Sequence, residues 1–147
     1  MKKYFLGMTS AVVSLAVLTT LAFGQISLPL MASIPFAFTV QDKQLPAGEY
    51  SVREIGGNPN ALVIRSENGS GKPVSVLTIT GASLRPKDKG ELVFDRIGNR
   101  YFLKDVYSPG NFGRVIPEGS TERHWERSSE RVSASNIQET TVPCSTK

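Results

Sequence analysis

The 147-residue chain has one cysteine, one histidine and one tryptophan, and no charged residue between Lys3 and Asp42. Each scarcity excludes something. A single cysteine cannot form an internal disulfide, so the fold does not rest on the cross-links that hold many small exported domains. His124 and Cys144 alone lack the clustered ligands that zinc demands, and no Asp-rich loop supplies the converging oxygens that calcium needs. No Ser or Cys falls in a nucleophile motif that would recruit His124 as a base. Neither a catalytic constellation nor a metal or cofactor is therefore expected.

The uncharged stretch itself is informative. Lys2 and Lys3 form a short positive region, and Tyr4 to Phe23 run almost wholly apolar. Ala22 and Gly24 place small residues three and one positions before Gln25, the pattern that signal peptidase pockets accept. Residues 1–24 are thus expected to be a cleaved signal, and the protein to be exported, periplasmic or secreted. The competing reading is an uncleaved anchor, since about 20 apolar residues span a bilayer. Pro29 and Pro35 oppose extending a helix far past Gly24, because proline lacks the amide donor. Cleavage leaves 123 residues, the size of one domain, and removes two lysines and no acid, taking the net charge from +4 to +2. Such a charge gives no reason to expect nucleic acid as a partner. A membrane partner is expected only if the amino-terminal segment stays uncleaved.

The dominant period in the mature chain is two. After a linker over 25–32, Ile34, Phe36, Phe38 and Val40 alternate with Pro35, Ala37 and Thr39, which predicts a strand burying its aromatic face. Further strands are expected from Tyr50 to Ile55, Ala61 to Ser66, Pro73 to Thr80, Glu91 to Ile97 and Arg100 to Tyr107, with a short one from Arg114 to Ile116. Gly98-Asn99 reads as a tight hairpin, since both residues tolerate positive φ. Asn68-Gly69-Ser70-Gly71-Lys72 lacks the spacing of a phosphate loop and joins two strands, so it too is hairpin chemistry. Residues 33–117 are therefore expected to form a mainly β domain, a small antiparallel sandwich or barrel of six to seven strands.

The period changes late. A charged helix is expected within 118–134, capped by Ser120 or Thr121 and ending near Val132. Thr121, Trp125, Ser128 and Val132 share one face. Glu118, Glu122, Glu126 and Glu130 recur every four residues beside Arg123, Arg127 and Arg131. Arg123–Glu126 and Arg127–Glu130 pairs contribute about 0.2–0.5 kcal/mol each. With so few apolar anchors, the helix is expected to pack loosely on the sheet or to dock on a partner. Residues 135–147 are polar and expected to be a disordered tail. Cys144 in that tail reads as an inert thiol, or as the donor of an intermolecular disulfide that yields a dimer.

Candidate binding residues are aromatic. Tyr101, Phe102, Tyr107 and Phe112 cluster around the last hairpin; Tyr107 and Phe112 are candidates for a rim where a sugar face could stack, though core packing is the favoured reading because aromatics supply most of a small β-domain's buried area. Trp125 is the apolar candidate on the helix. Asp95 and Asp105 read as charged residues on the wet face of a half-exposed sheet, and His124 as a solvated surface residue.

The segments Ile34-Pro35-Phe36-Ala37-Phe38-Thr39-Val40, Leu45-Pro46-Ala47-Gly48-Glu49-Tyr50, Leu92-Val93-Phe94 and Arg100-Tyr101-Phe102-Leu103 resemble a group of small exported proteins from acidobacterial-type bacteria. The similarity covers most of residues 33–130. It implies export and a β-rich fold; that group has no established activity, so no functional residue carries over. The expected function is an exported, non-catalytic β-module that binds a protein or glycan partner in the cell envelope. The alternative is a structural envelope protein, anchored by its amino terminus or tethered through Cys144. An enzyme comes third, for want of a nucleophile, metal or base.

Overall fold

A computed structural model describes residues 28–69, 71–130 and 137–147. The expected signal over 1–24, the first three linker residues (25–27) and the helix end at Val132 lie outside these described residues. The strands are β1 (Leu30–Ile34), β2 (Phe38–Val40), β3 (Lys43–Leu45), β4 (Gly48–Ile55), β5 (Asn58–Ser66), β6 (Val74–Leu77), β7 (Ile79–Thr80), β8 (Gly90–Ile97), β9 (Arg100–Tyr107) and β10 (Arg114–Val115). One helix, α1 (Ser120–Glu130), precedes the last strand, β11 (Ile137–Thr146). None of the described helical structure is long and apolar enough to cross a membrane.

All eleven strands belong to one sheet, ordered β3-β2-β9-β8-β11-β1-β4-β5-β6. β7 continues from β6 past Thr78 and pairs with β10, and β10 returns to β9. The sheet therefore comes round nearly onto itself, and its edges almost meet in a barrel-like closure. The expectation of a mainly β fold holds. The count of six to seven strands was too low, and the strands share one curled sheet.

Part of the shortfall is β3 and the break of the strand expected over 73–80 into β6 and β7 at Thr78, and three corrections cover the rest. The expected strand over 34–40 is two strands: Pro35 to Ala37 interrupt it, and β2 pairs parallel with β9 while β1 pairs with β4 and β11. The expected linker contains Leu30 to Ala32 of β1, whose alternate residues Leu30, Ala32 and Ile34 are buried. The expected disordered tail contains β11, which pairs with β8 over residues 137–144 and with β1 over residues 144–146. Only Val142 of β11 is fully buried, so its apolar signal is faint. Pro143 also argues against a central strand from sequence, because it cannot donate to the ladder. The hairpin at Gly98-Asn99 forms as expected, with Ile97 opposite Arg100 and Gly98 at φ 65°.

The inward residues of the barrel are the even-numbered set of β1, β4 and β8: Leu30, Ala32, Ile34, Tyr50, Val52, Leu92 and Phe94. On β9 a bulge opposite Val93 and Phe94 lets Leu103 and Val106 both face inward, with Lys104 and Asp105 between them. One end of the lumen is filled by rings. Phe36 stacks on Tyr101 at 3.8 Å between centroids, and Phe94 meets Phe36 and Phe38 edge-on at 5.2 and 5.5 Å. Phe38 meets Tyr50 edge-on at 5.1 Å, and the Tyr50 hydroxyl donates to the Pro46 carbonyl at 2.7 Å. The edge contacts suit the charge distribution of aromatic rings.

Helix α1 lies beside this filled end, against β8. Its cap comes from elsewhere in the chain. Asp42, in the β2–β3 turn, accepts hydrogen bonds from the Thr121 amide at 2.8 Å and the Ser120 hydroxyl at 2.9 Å. These bonds, the Thr121 amide foremost, hold the Asp42 carboxyl below its usual pKa. Gly119 precedes the helix with no side chain because a Cβ there would lie 2.5 Å from the Gln41 backbone. The helix face differs from the expected one: Ser128 is exposed, while Glu122 is buried and Trp125 and Glu126 are half-buried.

Candidate functional site

The opposite end of the lumen stays open. A cleft of about 670 Å³ lies there, lined by Leu28, Leu30, Pro59, Pro109, Ser108 and Thr146 among others. Its charged residues are Glu54 and Arg114. Glu54 follows Tyr50 and Val52 on the inward face of β4, and Arg114 of β10 lies two residues before the core residue Ile116. These strands are separated by β5 and the β6–β7 run in the sheet order, so the pair bridges the lumen. The Arg114 guanidinium meets the Glu54 carboxylate through Nη2 and Oε1, with the side chains only 12% and 21% exposed. A guanidinium has five N–H donors and a carboxylate two acceptor oxygens, so one contact leaves hydrogen-bonding capacity on both. A cleft of this size, with aliphatic walls and a few convergent polar groups, matches the usual form of a small-ligand site in a barrel mouth.

The aromatic candidates from sequence are placed elsewhere. Tyr107 is buried. Its hydroxyl donates to the Ala82 carbonyl at 3.2 Å, and Lys87 Nζ sits 3.9 Å from its ring centroid. Gly113 packs so closely on this ring that a Cβ would come within 2.4 Å of it. Tyr107 therefore clamps the 82 and 113 segments and is no rim residue. Phe112 is about half exposed, and its carbonyl accepts from the Ser83 amide at 2.9 Å. Trp125 lies beneath the Arg100 guanidinium, 4.4 Å from its ring centroid. Tyr107, Phe112 and Trp125 are thus not brought together into one site.

Cys144 is not on a loose tail. It pairs in register with Ala32 of β1 and Gly90 of β8, and it packs against the core. Burial raises its thiol pKa to about 11, so the thiolate needed for disulfide exchange is scarce near neutral pH. His124 is exposed, as expected.

Asp95 and Asp105 are both buried, contrary to the wet-face expectation. Asp95 pairs with Lys104 at 3.1 Å, whereas Asp105 Oδ1 has no hydrogen-bond partner among the described residues. Burial raises the Asp105 pKa to about 6, with repulsion from Asp95 and Glu139 adding to it. Glu122 is the other buried acid. Burial, then repulsion from Glu118, Asp95 and Glu126, raises its pKa to about 7, while the Gly119 amide donates to it. That bond makes Glu122 the returning half of a capping box at the helix start. Its neighbours Asp95, Lys104, Glu118 and Arg123 line a separate cleft of about 330 Å³. Among the described residues, no three His, Cys, Asp or Glu side chains are grouped to hold a metal ion.

Glu54 and Arg114 escaped the sequence reading, although a signal existed. Each is a charged residue in step with an apolar period-two face, Tyr50-Val52-Glu54 and Arg114-Ile116. Comparison of the chain with protein-family models, curated proteins and solved structures returns no match.

Proposed function

We propose that this chain is an exported, non-catalytic β-module that binds a partner of the cell envelope at the open end of its barrel. The observation that carries the reading is the contrast between a lumen filled by five aromatic rings at one end and an open cleft holding a cross-lumen ion pair at the other. Export rests on the amino-terminal pattern of Lys2, Lys3, the apolar run and the small residues before Gln25. The non-catalytic role is supported by the placement of the two buried acids whose pKa is raised. Glu122 is engaged in capping a helix and Asp105 faces away from the lumen, so neither is aimed at the cleft.

Two measurements test this. The intact mass of the soluble species outside the cytoplasm, after expression of the full chain, is expected to correspond to a start at Gln25. A full-length species confined to the membrane refutes that part. Amide chemical-shift mapping of the soluble species with amino acids, short peptides and saccharides is expected to move the signals of Gly57, Asn111, Arg114 and Thr146. Shifts gathered on Leu84 and Phe112, or on Trp125, would move the site to the outer surface.

A further inference from the structure

The chemistry of the cleft narrows its ligand, granted that the open end is the binding site. Glu54 and Arg114 neutralise one another, so the cleft floor has no net charge, yet both groups are largely withdrawn from water. A ligand carrying one charge would draw one of them away and leave the other uncompensated. Stranding a largely buried charge is expensive, which selects against a simple anion or cation. A ligand whose own charges sum to zero within a short span avoids this: its carboxylate meets Arg114 while its ammonium meets Glu54. The walls add a second criterion. Leu28, Leu30, Pro59 and Pro109 are aliphatic beside the polar Ser108, Asn111 and Thr146, and among the described residues no aromatic ring lines the cleft for a sugar to stack on. We infer that the open end of the barrel binds a zwitterionic amino-acid head group with an aliphatic side chain, the ion pair opening to receive both of its charges.

Four probes separate the possibilities by calorimetry and amide shift mapping on the soluble protein recovered from expression of the full chain. L-leucine carries both charges, 4-methylpentanoate only the acid, 3-methylbutylamine only the amine, and cellobiose neither. Leucine is expected to bind at least about tenfold more tightly than either singly charged analogue, the difference that one charge-assisted hydrogen bond supplies. Its shifts should centre on Glu54 and Arg114. Equal or tighter binding of the acid, the amine or cellobiose at the cleft overturns this inference and leaves the open-end site standing. Silence of the cleft residues toward all four probes overturns both. Glu54→Gln keeps the shape and removes one charge. It is expected to weaken leucine and strengthen 4-methylpentanoate, and a variant that folds normally but keeps the wild-type order refutes the role of the pair.

Discussion

The two ends of this barrel solve the same problem in different ways. A β-barrel lumen must be filled or left to solvent. At the end where β9 begins, Phe36, Phe38, Tyr50, Phe94 and Tyr101 fill it, and the β2–β3 hairpin and α1 lie beside them. At the end where β9 finishes, short aliphatic side chains and an ion pair leave space. The lesson is that apolar volume is spent on one end of the sheet, and the other end keeps an open cleft.

The sharpest way to break that comparison is to truncate one ring. Phe94 is fully buried and touches two of the other rings. Phe94→Ala is expected to cost about 3–5 kcal/mol by the usual toll of removing a buried aromatic. Leu28→Ala at the open end, where the side chain is 55% exposed, should stay within about 0.5 kcal/mol. Urea denaturation of both variants checks this, and comparable losses would show that the open end carries stability too.

A second effect belongs to the filled end alone. Glu122 has an ordinary pKa of 4.5 and a folded value of about 7. Between those values the folded chain holds a proton that the unfolded chain has released. Stability from this group is therefore complete below about pH 4.5 and lost as pH rises through about 7. The groups facing it are Glu118, Asp95 and Glu126, with Lys104 and Arg123 lining the same cleft. The loss is on the order of 3 kcal/mol at 1.36 kcal/mol per pKa unit. Denaturation free energies measured from pH 4.5 to 7.5 should fall accordingly, and Glu122→Gln should flatten most of the slope. Asp105, with a folded pKa of about 6, keeps the remainder. An unchanged slope in the variant would place the sensitivity elsewhere.

What sequence reveals of this molecule follows the same division. The filled end was legible because its residues are large and alternate: Phe36, Phe38, Tyr50 and Phe94 announce a core by size and period. Around the open end the cues are weak. β11 buries only Val142 fully and contains Pro143, and β10 is two residues long. The Glu54–Arg114 pair joins residues 60 apart, on strands that become opposed only when the sheet curls. The buried acids were misread for a related reason. The bulge opposite Val93 and Phe94 keeps Lys104 and Asp105 together between two inward residues, a shift of phase that strict alternation does not anticipate. A cleft of this kind is assembled by closure, and closure is a property of the whole sheet.

The smallest of these effects tests how α1 is attached beside the rings. Gly119 abuts the Gln41 backbone, so a Cβ there must move the chain itself, and it would also press on the capping Asp42 Oδ1, 2.8 Å away. Gly119→Ala is expected to cost about 1–2 kcal/mol, typical of overpacking a fitted contact. The loss should appear as weakened helical circular dichroism while the aromatic near-ultraviolet signal of the filled end persists. Asp42→Ala leaves space but removes the cap from Ser120 and Thr121, so it should loosen the same helix by a different cause. If Gly119→Ala alters nothing while Asp42→Ala frees the helix, capping alone seats α1. If neither does, the rings hold that end closed without it.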